Sequence, residues 1–183
     1  MKFSRNLLAA AAALAMSATV SANVLTFQGV TFTTSDLGAG VLQLEIDAAA
    51  RSGDWSDAVS IDTIGLKDIG SFTSAIAGGA GTGWSFSPNE LNANGCAGGE
   101  SGGACFFGSP VALADNMLFT FSFSGGTTDF SLPHLKVRFL DGQGDKEGSL
   151  LSLSVPVPEP ETYALMLAGL GLVGFMARRR RQA

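Results

Sequence analysis

The chain has 183 residues, 46% hydrophobic and 15% charged, with 11 basic against 16 acidic side chains, a length that fits one domain plus targeting segments. The charge is unevenly placed: residues 23–156 carry 14 acids and 5 bases, while each flanking segment has an excess of two bases. An acidic, Gly-rich middle excludes a nucleic-acid-binding domain, which needs a basic patch, and its 13 aromatics argue against disorder.

Residues 1–22 have the order of a secretory signal peptide. Lys2 and Arg5 form a positive start, Leu7–Met16 is an unbroken apolar run of ten, and Ser17–Ala22 is rich in small residues. Val20 and Ala22 place the cut between Ala22 and Asn23, with a cut after Ala18 as the variant. A membrane span requires about 20 apolar residues, more than this run supplies. The segment is expected to act as an N-terminal signal helix that is then removed.

Residues 23–156 alternate apolar and polar side chains, the period of half-buried strands. Along 41–48, Leu42, Leu44, Ile46 and Ala48 share one face, with Gln43, Glu45 and Asp47 on the other. The same holds for Met117, Phe119, Phe121 and Phe123, for Leu135, Val137 and Phe139, and for Leu151, Leu153 and Val155. Weaker strand patterns cover Val24–Thr34, Ala58–Ile69, Gly70–Ala77 and Trp84–Ser87, and in the first the parity flips near Gln28–Gly29, as at a bulge or turn. Pro88–Ala104 reads as a long polar, Gly-rich loop, and Asp141–Asp145 as a hairpin connection. Short strands without helical intervals predict an all-β domain, an antiparallel β-sandwich or jelly-roll-like fold.

Cys96 and Cys105 are the only cysteines, separated by a flexible Gly-rich stretch. An even count in an exported chain favours a disulfide, and one closing so short a loop stabilises by about 2.5–3 kcal/mol. Zinc requires four ligands, and His134 is the only histidine.

The segment 157–183 is the most specific. Pro158 and Pro160 flank Glu159 and impose extended backbone. Thr162–Ala177 is uncharged, about 24 Å long as a helix against a hydrocarbon core of about 30 Å. Arg178, Arg179, Arg180 and Arg181 follow, and the positive-inside rule keeps them cytoplasmic. A Pro-Glu-Pro motif, a short Gly-containing apolar helix (Tyr163–Ala177) and a terminal Arg cluster together resemble the PEP-CTERM sorting signal. The resemblance implies a substrate of exosortase, a membrane enzyme that recognises and processes such tails, in a Gram-negative bacterium that makes exopolysaccharide. It further implies passage through the inner membrane, with the membrane as a transient partner, and then residence at the cell surface or in the extracellular matrix. On this reading the chain comprises a signal peptide (1–22), an extracytoplasmic β domain (23–156) and the sorting segment (157–183).

Within the domain, Asp141, Asp145 and Glu147 could gather oxygens around calcium, although their spacing departs from the EF-hand loop; a solvated turn is the competing reading. Asp54, Asp57 and Asp62 form a second acidic group around Trp55. Trp55 and Trp84 could offer flat faces to a sugar, or fill the core. His134 has no second histidine to assist it, and there is no Gly-x-Ser-x-Gly elbow or phosphate loop, so no catalytic residue is assigned and an enzyme is not expected. The expected role is structural or adhesive, associated with exopolysaccharide or biofilm, and no cofactor is implied unless calcium is bound. The alternatives are a carbohydrate-binding module, with or without calcium, and a surface hydrolase.

Overall fold

A computed structural model describes residues 22–155 and, beyond them, Leu170. The signal sequence up to residue 21 and the segment from 156, apart from Leu170, lie outside the described residues, and with them the two flanking helices expected from the sequence. Ten strands follow one another: β1 (Ala22–Phe27), β2 (Val30–Gly38), β3 (Val41–Asp47), β4 (Ser60–Lys67), β5 (Ser74–Gly79), β6 (Ser85–Asn89), β7 (Glu100–Ala112), β8 (Met117–Ser124), β9 (His134–Leu140) and β10 (Leu151–Ser154). They form two five-stranded sheets, one ordered β1-β2-β3-β8-β5 and the other β10-β9-β4-β7-β6, and every pairing is antiparallel. The architecture is a sandwich of two five-stranded antiparallel sheets, in agreement with the all-β sandwich expected from the alternation.

The alternating residues do what their period requires. Leu42, Leu44 and Ile46 of β3, Phe119 and Phe121 of β8, and Leu135 and Val137 of β9 all point into one core between the sheets. Aromatic contacts cross it: Phe32 of β2 meets Phe139 of β9 at 6.5 Å between ring centroids, and Phe121 of β8 meets Phe106 of β7 at 4.5 Å. β2 therefore lies over β9 and β8 over β7, which brings the edge strands β1 and β10 to the same side of the sandwich.

The parity flip at Gln28–Gly29 is a two-residue hairpin turn rather than a bulge in one long strand. Both residues have positive φ, 47° and 73°, the signature of the turn whose twist matches its flanking strands. A Cβ on Gly29 would fall 1.9 Å from the Ala50 carbonyl oxygen, so only glycine fits. The Asp141–Asp145 turn does lie in the β9–β10 hairpin connection, closed by hydrogen bonds between Asp141 and both Gly144 and Asp145.

The largest departure from the sequence pattern is β7. The expected Pro88–Ala104 loop shrinks to Glu90–Gly99, because β6 extends to Asn89 and β7 starts at Glu100. β7 pairs with β4 and β6, and between Phe107 and Val111 its register slips against Ile61–Thr63. Gly108-Ser109-Pro110 form this irregular stretch and hide the strand's alternation.

Candidate functional site

Register places both ends of the domain together. Ala22 pairs with Ser35, and that row continues through Gln43 and Thr120 to Gly78, so β1 starts four positions short of the Ser74–Ser124 pair and its N-terminus points to the end of the first sheet where β5 begins. In the second sheet, Ser154 and Lys67 both pair with His134. The β4–β5 connection joins these two ends, and Gly70 within it bridges to Thr128. The chain thus enters and leaves the sandwich at one end and, because β1 and β10 share a side, at one corner.

The exit is firmly anchored. Val155 is fully buried in the core, and its N–H donates to the Pro133 carbonyl at 3.0 Å. Just before it, His134 of β9 reaches both serines of β10, Nε2 to Ser152 Oγ at 3.0 Å and Nδ1 to Ser154 Oγ at 3.3 Å. Burial, and then the Lys136 charge, hold the His134 pKa below its ordinary value, so the neutral imidazole is favoured here.

The outer face of the second sheet is closed by the segment between β6 and β7. Leu91 is buried over Gly65 of β4, where a Cβ would come within 2.9 Å of the Leu91 Cβ. Glu90 accepts from Lys136 of β9 and from Lys67 of β4 (3.2 Å), and these ammonium groups, Lys136 first, pull its carboxyl below the usual carboxylate range. Lys136 also donates to the Leu91 carbonyl at 3.3 Å. Cys96 of the strap is bonded to Cys105 of β7, as expected, with Cα atoms 5.7 Å apart. Beside it Arg138 grips both carboxylate oxygens of Asp62, with Nε to Oδ1 at 2.8 Å. Three of the domain's five bases are therefore neutralised on this one face, leaving Arg51 and Lys146 elsewhere.

The sequence-level ligand candidates end up in other roles. Trp55 is fully buried, its ring tilted by 33° against Phe139 with centroids 4.4 Å apart, and its Nε1 donates to the Ser149 carbonyl at 2.8 Å. Trp84 is 8% exposed, packs at 5.5 Å on Phe119, and donates from Nε1 to the Ser109 carbonyl at 3.1 Å. Neither presents a face to a sugar; each indole fills the core and spends its one donor on a strand or loop carbonyl. Asp141 Oδ1 accepts from the Gln143 and Asp145 backbone N–H groups, so it stiffens its own turn. Among the described residues no three His, Cys, Asp or Glu side chains converge as metal ligands, and this separates Asp141, Asp145 and Glu147 as it separates Asp54, Asp57 and Asp62.

What the sequence did not point to is a cavity of about 350 Å³ at the same end as the chain exits, on the β5–β6 side. Phe72 and Phe86 form its apolar wall with Pro88, and Ser71 and Thr73 stand at its rim. Gly70, Gly102 and Gly103 contribute backbone only. The signal available in the sequence was a pair of matching triplets, Ser71-Phe72-Thr73 and Ser85-Phe86-Ser87, each an isolated aromatic between hydroxyls.

The class of protein is thus an all-β sandwich whose last core residue, Val155, passes directly into the chain's C-terminal segment. A family model described as the PEP-CTERM protein-sorting motif matches residues 156–181, starting at the residue after Val155. The chain carries a PEP-CTERM sorting motif: it is an exported protein sorted at the membrane through exosortase. The match covers Pro158, Glu159 and Pro160, the apolar run Tyr163–Ala177 and Arg178–Arg181. No curated protein and no solved structure matches the chain.

Proposed function

We propose that residues 23–156 are the cargo of this sorting system, a rigid acidic module with a structural or adhesive role in an exopolysaccharide-rich surface or matrix. The observation that carries the reading is the abrupt junction at Val155, where the core ends one residue before the sorting motif begins. Pro158-Glu159-Pro160 is the recognised and processed element, Tyr163–Ala177 the transient membrane segment and Arg178–Arg181 its cytoplasmic stop. Entry and exit at one corner hold that corner towards the membrane while both terminal segments are attached, and turn the opposite loops outward. The disulfide-locked strap and the dense aromatic core suit a module that persists outside the cell without chaperones.

The test is fractionation of cells expressing the wild-type chain and a variant with Pro158, Glu159 and Pro160 all changed to Ala. The wild type is expected as a processed form in the matrix or surface fraction, and the variant as a longer form in the inner membrane. Equal maturation and release of the two would overturn the role given to the motif. A wild-type chain retained wholly in the membrane would overturn the matrix role.

A further inference from the structure

The cavity beside β6 is a built site rather than a gap between loops. Phe72 and Phe86 are only half-buried, and each is backed by the core: Phe72 rests on Phe123 at 4.9 Å and Phe86 on Phe106 at 5.8 Å. Their rings meet at 63° with centroids 6.1 Å apart, forming an angled apolar wall that cannot collapse inward. At about 350 Å³ the space sits at the small end of ligand-site volumes, enough for one or two sugar rings.

The rim is polar, with Ser71 and Thr73 among its lining residues. Ser71 Oγ accepts the Thr127 backbone N–H, which leaves its own proton free to donate outward. Thr73 Oγ1 donates to the Ser124 carbonyl at 3.3 Å, which leaves its lone pairs free to accept. Two residues apart and flanking Phe72, both line the cavity, and each hydroxyl keeps part of its hydrogen-bonding capacity unspent. Among the described residues that line the cavity none is charged, so these residues offer an ionic ligand no partner for the hydration it would lose.

We infer that this cavity, between the Gly70–Thr73 loop, β6 and the start of β7, binds a neutral hexose unit of a polysaccharide. The sugar lays its C–H face on Phe72 and Phe86 and its hydroxyl edge on Ser71 and Thr73. A flat ring with one apolar face and alternating donors and acceptors on its edge matches both halves of the lining, whereas a purely apolar ligand would leave the two hydroxyls without use. The site rests on the matrix reading above, and supplies the contact by which the module would hold to the polymer.

The experiment uses the full-length chain in detergent micelles, titrated with cello-, manno- and isomalto-hexaose and with a uronic acid hexamer, followed by tryptophan fluorescence and calorimetry. Binding of at least one neutral hexamer and not of the uronate is expected. Phe72→Leu should weaken it tenfold or more, and Thr73→Val by about fivefold, the worth of one hydrogen bond. Thr73→Arg, at an exposed position that leaves the core untouched, should fill the space and abolish binding with the fold intact by near-ultraviolet circular dichroism. Absence of binding to every neutral hexamer, stronger binding of the uronate, or binding unaltered in Thr73→Arg overturns the inference. Protein that fractionates with the matrix but binds no hexamer removes the cavity's role and leaves the matrix reading standing. Hexamer binding by a protein retained in the membrane does the reverse.

Discussion

Trp84 lies against the backbone of Gly108. A Cβ on Gly108 would sit 2.2 Å from the indole Cδ1, while the same ring donates from Nε1 to the Ser109 carbonyl at 3.1 Å. The irregular stretch of β7 and the tryptophan before β6 are therefore one packing unit, in which the strand gives up a side chain to admit an indole.

Gly108→Ala should accordingly destabilise the domain by about 2–4 kcal/mol, from overpacking together with the lost indole hydrogen bond. Gly142→Ala, where a Cβ meets open space, should stay within about 0.5 kcal/mol. Chemical denaturation of both variants under oxidising conditions checks the contrast.

The disulfide locks the strap more than the core. Replacing Cys96 and Cys105 with alanine should cost about 2.5–3 kcal/mol. Hydrogen exchange should accelerate at Glu90–Gly99 well before it does in β4 or β9, because Leu91 and Glu90 are the strap's remaining anchors. Uniform acceleration across both sheets would show that the strap is integral to the sandwich.

Two groups give stability a dependence on pH of the same sign in different windows. His134 has a lowered pKa, so its contribution is complete above about 6.5 and is lost as the pH falls towards its folded value. Glu90 is also lowered, and its contribution is complete above about 4.5 and is lost at lower pH. Urea midpoints should fall from pH 7.5 to 5.5 in the wild type and less so in His134→Gln; a further fall from pH 5 to 3 should be blunted in Glu90→Gln.

Val155 ties the last strand to the core. Val155→Ala should cost about 1–3 kcal/mol and open β10 to proteolysis, since it removes buried methyl groups beside an edge strand only four residues long. A spacer of Gly and Ser inserted after Val155 should leave the melting temperature unchanged. Limited proteolysis followed by mass spectrometry separates the two effects.

Much of the sandwich was legible because alternation is a local property. The strands around Leu42–Ile46, Met117–Phe123, Leu135–Phe139 and Leu151–Leu153 need no knowledge of their partners to declare which face is wet. β7 escaped notice for the opposite reason. Its pattern is broken at Gly108-Ser109-Pro110, and only pairing with β4 and β6 makes it a strand. Trp55 misled similarly: Ser52-Gly53-Asp54 and Ser56-Asp57 surround it with polar residues, yet a 3₁₀ turn at Gly53–Trp55 rotates the indole alone into the core.

By itself the sequence determined the sorting motif of this protein, its all-β class and its disulfide. Export and sorting segments are linear signals read by other molecules in order along the chain, and cysteines in so short a loop have no other partner. The tertiary structure alone decided that both tryptophans are buried, that the acidic triplets do not meet, and that Phe72 and Phe86 share a cavity. Those outcomes depend on which strands pair, and in what register, between residues far apart in the chain. A slip of one position would exchange the inner face of every strand for its outer one.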